Sequence, residues 1–165
     1  MSADPLEAAV VEALKHQLGA AVNMLESVVH ACPDDTWSQP SSATPFSRLC
    51  YHTTFWLDVY LSGDLDGFSP PAPFDRSELD PEGVPARKYT RAEILDYLRH
   101  CRRKASDVFA GLGRAGLERR CSIGRVRCTY AELLIYNLRH VQHGVAQLNL
   151  LLRTARHQPV PWTIR

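Results

Sequence analysis

The sequence predicts an all-α fold: a four-helix bundle with one long proline-rich crossover between its second and third helices. Three observations carry this. Apolar residues recur at spacings of three and four along four segments. Two capping signals, Thr90 with Glu93 and Thr129 with Glu132, open the last two segments. No sustained strand alternation competes with them.

The first helix is expected over roughly residues 4–31. Val11, Leu14, Leu18, Ala21, Leu25 and Val28 mark its apolar face, and Pro5 suits its first turn. Cys32-Pro33 and a polar run to Ser42 end it. Thr44 and Pro45 read as an N-cap and first helical position for a second helix over 45–62, on Leu49, His52, Trp56 and Val59. Ser62-Gly63 stops it. Residues 63–89 hold five of the eleven prolines and no long period, so they form the crossover. The third helix, 90–114, uses Ile94, Leu98, Cys101, Ala105, Val108 and Leu112, and the glycine-rich GLGRAG ends it. SIGRVR suggests a small hairpin, too short for a sheet, before a fourth helix over 129–155. Neither side of the crossover could fold alone, so residues 1–165 are read as one domain.

Composition narrows the function. Nineteen Lys+Arg against eighteen Asp+Glu is near balance. The local basic runs RHCRRK and ERRCSIGRVR lack interleaved aromatics, so a nucleic-acid partner is not expected. No apolar run approaches the ~20 residues of a membrane span. MSADPLEAAV has neither a basic start nor an apolar signal core, so a cytoplasmic location is expected. The five cysteines form no CxxC pair and are expected to be reduced thiols. Cys50 and Cys101 fall on core stripes, while Cys121 and Cys128 flank a short basic loop and are expected buried or inert rather than reactive.

The fourth helix carries two adjacent stripes. One is wholly apolar: Leu134, Leu138, Val141, Val145, Leu148 and Leu152. Its neighbour reads Leu133, Asn137, His140, Gly144, Gln147 and Leu151, apolar at its ends and polar or empty between. At about 100° per residue Gly144 and Gln147 project close to His140, with His143 to one side. His52 interrupts the second helix in the same way, with Phe55 beside it. An unpartnered buried imidazole costs about 1–3 kcal/mol, which a second polar group on a facing helix can offset.

Each residue also has a structural explanation. His52 can be a core histidine satisfied by one hydrogen bond, and His143 a rim residue. Asn137 and Gln147 can serve the histidines, and Tyr51, Phe55 and Trp56 can be packing. Two mid-helix interruptions, of a type that zinc or nickel prefers, point instead to a site.

The segments LCYHTTFWLDVYLSG (49–63) and AELLIYNLRHVQHGVAQLNLLLR (131–153), with PWTIR closing the chain, resemble the DinB-like (YfiT-related) metal-binding four-helix superfamily. The resemblance implies an up-down-down-up bundle, often dimeric, in which three histidines hold a divalent metal. One comes from the second helix and a HisxxxHis pair from the fourth. Members include metal-dependent hydrolases and transferases that use low-molecular-weight thiols.

By position the first two ligands are His52 and His140, and Gly144 stands where the third belongs. His143 could chelate beside His140, and Gln147 points more nearly the right way, but its neutral amide oxygen is a poor zinc ligand. Zinc or nickel is therefore expected weakly bound or absent, with space beside Gly144 for a water or a substrate group. The resemblance places a pocket between the second and fourth helices, ringed by Tyr51, Phe55, Trp56, Tyr136, Asn137, Gly144 and Gln147. Asp58 projects away from His52, and no carboxylate on the patch serves as a general base. Two functions stay open: a metal-dependent hydrolase or thiol S-transferase acting on a small molecule, or a non-catalytic bundle that binds a small molecule or partner protein. A homodimer is expected, with Leu57, Leu61, Ile135 and Leu150 as surplus apolar positions.

Overall fold

The computed structural model describes residues 4–38, 45–80, 82–83, 85, 87–155 and 157–164. Helix α1, Pro5–Ala31, starts at Asp4, whose carboxylate accepts from the Leu6 N–H at 2.9 Å. A short helix α2, Asp34–Ser38, occupies part of the expected polar run. The buried Trp37 indole, which donates to the Tyr89 carbonyl at 3.2 Å, ties that helix to the end of the crossover. Helix α3 is Phe46–Ser62, with Pro45 at its N-cap position and Gly63 closing it. Thr44, the expected cap, lies outside the described residues.

The crossover is folded as well as long. Phe68, Phe74 and Tyr89 are buried in the core, and Ser77–Leu79 forms one turn of 3-10 helix. Helix α4, Arg91–Ala110, opens with the Thr90/Glu93 capping box. It stops short of the expected 114 because Gly111 and Gly113 bracket Leu112, and a separate short helix α5, Arg114–Glu118, follows. Strands β1, Arg120–Ile123, and β2, Val126–Thr129, pair antiparallel as the hairpin suggested by SIGRVR, extended by two residues at each end. Helix α6, Tyr130–Thr154, begins with the Thr129/Glu132 capping box.

The four long helices pack in a cycle, with α1 and α3 each lying against both α4 and α6. Leu25, Val28, Phe55, Leu98, Leu133 and Leu148 are fully buried in the core these helices share. Leu57 and Leu61 are core rather than surplus surface, whereas Ile135 and Leu150 are 48% and 61% exposed. Among the described residues no helix is long and apolar enough to cross a membrane.

Candidate functional site

Helices α3 and α6 bring two histidines into contact. The rings of His52 and His140 have centroids 5.4 Å apart at 55°. One turn before His52 on α3 stands Arg48, and the 3-10 turn of the crossover lowers Glu78 between them. The Glu78 carboxylate accepts from His52 Nδ1 at 2.6 Å and lies 2.5 Å from Arg48. Its side chain is only 4% exposed, against 41% for His52. A buried carboxylate thus fixes the His52 ring with Nδ1 as donor and Nε2 turned elsewhere.

Glu78 overturns the expectation that no carboxylate serves the patch. Sequence periodicity could not reach it, because it arrives on an aperiodic loop. The only local signal was Asp75 two residues before Ser77: its Oδ1 accepts from the Ser77 N–H at 3.0 Å, which starts the turn. Tyr51 anchors the same turn, its hydroxyl donating to the Asp75 carbonyl at 2.8 Å.

His140 differs from His52. Its Nε2 is buried and has no hydrogen-bond partner among the described residues. Burial first, then the nearby His52 and His143, pushes its pKa down to about 4, so the ring is uncharged at neutral pH. Tyr60 meets its face edge-on at 5.7 Å, and Tyr60 in turn touches Tyr136 and Trp56 at 5.2 and 5.4 Å. Tyr60 was missed in the sequence because it continues the core stripe of α3.

The remaining expected pocket residues do not gather there. Tyr51 stacks on Phe74, and Phe55 packs on Phe68, both in the core. Asn137 is fully buried and donates to the Leu57 carbonyl at 3.1 Å, its Oδ1 without a partner among the described residues. His143 and Gln147 are exposed. Asp58 does turn away from His52, into a buried cluster described below.

Gly144 is a close approach rather than a gap. A Cβ built on it would lie 2.3 Å from Thr53 Oγ1, 2.7 Å from its Cγ2 and 3.1 Å from its Cβ. Thr53 is itself fully buried, its hydroxyl donating to the Leu49 carbonyl at 2.8 Å. The expected space beside Gly144 is therefore filled by Thr53, and no side chain at 144 can project there on this backbone.

The matched family model, the DinB superfamily, covers residues 17–148. The chain belongs to the DinB superfamily. Among solved structures, a DinB-like protein of Bacillus subtilis, YjoA, superposes with a TM-score of 0.62 at 16% identity, covering 95% of this chain and 99% of that one. That likeness concerns the fold. No curated protein matches.

The three-histidine metal that the superfamily resemblance implies can be tested on these donors. The third-ligand position is a glycine packed on Thr53, and His143 is exposed. Among the described residues no three His, Cys, Asp or Glu side chains converge as a metal site. This DinB-superfamily chain does not fit a metal held by three protein ligands.

Proposed function

We propose that this protein binds a small molecule at the His52–His140 pair without a resident metal. The observation that carries the proposal is the buried, unpartnered Nε2 of His140. Leaving such an atom unsatisfied costs about 1–3 kcal/mol, which a bound polar group recovers. A hydroxyl or thiol suits it best, because either can donate or accept and so serves both tautomers of a neutral imidazole. The rest of the molecule would lie against Trp56, Tyr60 and Tyr136, of which Tyr136 is 38% exposed. His52, held by Glu78, offers the second polar contact.

A second reading keeps catalysis. A carboxylate-oriented histidine is a competent general base for hydrolysis or for activating a thiol. The His52–Glu78 contact at 2.6 Å favours that reading without requiring a metal. In either reading the four long helices run up-down-down-up, the chain pairs as a homodimer, and any zinc or nickel is held weakly.

Screening small hydroxyl- and thiol-bearing aromatics by NMR tests the proposal. Binders are expected to shift the His140 ring resonances, and His140→Ala is expected to abolish their binding. Binders that perturb only distant residues would refute it.

A further inference from the structure

The hairpin between α5 and α6 sets two cysteines directly opposite one another. Its register pairs Cys121 with Cys128. Opposed residues of an antiparallel pair share a face, with Cα atoms roughly 4.5–5.5 Å apart. That span lies inside the roughly 4.4–6.8 Å typical of disulfides. The face is the inner one, since Cys121 and Ile123 are buried while Arg120 and Ser122 are exposed. Gly124, at φ +57°, makes the two-residue turn between Ile123 and Val126 that locks this register. The other thiols are sealed in the core, with Cys50, Cys101 and Cys32 at 0%, 1% and 2% exposure. Cys128 is the one cysteine of the five with substantial access to solvent.

We propose that Cys121 and Cys128 are a redox modification site, closed to a cross-strand disulfide by a low-molecular-weight disulfide. Cys128 loses its proton to water and attacks one sulfur of that disulfide. The S–S bond breaks, and the departing thiolate is protonated by solvent. Cys121 then loses its proton and attacks the Cys128 sulfur of the mixed disulfide, expelling the second small thiol. Two protein thiols are oxidised to one disulfide while one small disulfide is reduced to two thiols. Burial holds both cysteines above the usual thiol range, so closure speeds up as pH rises. The staple joins the strand leaving α5 to the strand that delivers Thr129, the cap of α6.

The test treats the full chain with oxidised glutathione, alkylates the remaining thiols and digests with trypsin without reduction. Cleavage after Arg120, Arg125 and Arg127 separates fragments 121–125 and 128–139 unless a disulfide joins them. The expected product is the joined pair, two hydrogens lighter than its parts and split again by dithiothreitol, with Cys32, Cys50 and Cys101 recovered as alkylated thiols that carry no glutathione. Cys121→Ser is expected to trap glutathione stably on Cys128. Should that variant not fold, Cys128→Ser provides the second arm and is expected to take up no glutathione at Cys121. A wild-type chain that stops at the mixed disulfide on Cys128, or whose two cysteines stay reduced at alkaline pH, would overturn the proposal.

Discussion

Helix α3 carries two polar interruptions six residues apart, His52 and Asp58, and the structure treats them oppositely. Asp58 is fully buried, and its bonds close. Its carboxylate lies 2.5 Å from the Lys104 ammonium and accepts from the Tyr97 hydroxyl at 3.0 Å, and Lys104 also donates to Ser62 at 2.6 Å. His52 finds Glu78, but the imidazole it faces, His140, keeps a buried nitrogen with no partner among the described residues. A closed polar cluster in a helical core is scaffold. One left open beside an aromatic rim is a place for something to bind.

The largest expected effect breaks the closed half. Asp58→Ala would leave the Tyr97 hydroxyl without its acceptor and the Lys104 ammonium without its counter-charge, and urea unfolding should show a loss of about 2–4 kcal/mol. The lower part of that range allows for Lys104 being one-quarter exposed and able to reach water. A loss below about 1 kcal/mol would mean that the cluster is not the scaffold described.

Next in size is Gly144→His, which asks whether the open half can be turned back into a metal site. The clash with Thr53 should destabilise the fold by about 1–3 kcal/mol, and calorimetry should detect no tight zinc. Thr53→Ala removes the two closest atoms and leaves only the Cβ contact at 3.1 Å. The double variant should therefore regain most of the stability and be the first to bind zinc. Tight zinc in the single variant would show that α3 and α6 yield easily at this contact.

The pH dependence separates the halves more finely. His140 has a folded pKa of about 4 against a reference of 6.5. Between those values the unfolded chain binds a proton that the fold refuses, so stability falls as pH drops through this window. The ceiling is on the order of 3 kcal/mol, at about 1.4 kcal/mol per pKa unit. His140→Phe should flatten the slope between pH 6.5 and 4, read by thermal unfolding across that range. An unchanged slope would place the titrating group elsewhere.

The smallest effect is Glu78→Gln. It keeps a hydrogen-bonding group at His52 but removes the charge, and His52 is 41% exposed, so the expected loss is about 0.5–1 kcal/mol. The sharper readout is ¹⁵N NMR of His52, whose single Nδ1–H tautomer in the parent should become a mixture.

Most of the helical frame was legible because it rests on local rules. The periodic faces and the Thr90/Glu93 and Thr129/Glu132 boxes act within a few residues, and both boxes form. The glycine-rich GLGRAG marks the stop of α4, but periodicity running on through Leu112 places it at 114 in the sequence, whereas the helix ends at Ala110. In the site, the stripes of α3 and α6 indicated His52 and His140 through their interrupted apolar pattern. Glu78 could not be read, since its contact depends on how an aperiodic crossover folds over α3. Gly144 misled for a related reason. A glycine in sequence signifies either space or close approach, and only the facing residue, Thr53, decides which.

The proposed binding site makes the His52–His140 pair an open polar site rather than a resident three-ligand metal centre. The direct measurement is side-chain ¹⁵N NMR of both histidines in untagged protein, before and after one equivalent of zinc. The expected result is a neutral His140 at pH 6 whose Nε2 resonance is unmoved by stoichiometric zinc. Saturable shifts of His140 Nε2 and His52 Nε2 together, complete at one equivalent, would contradict it.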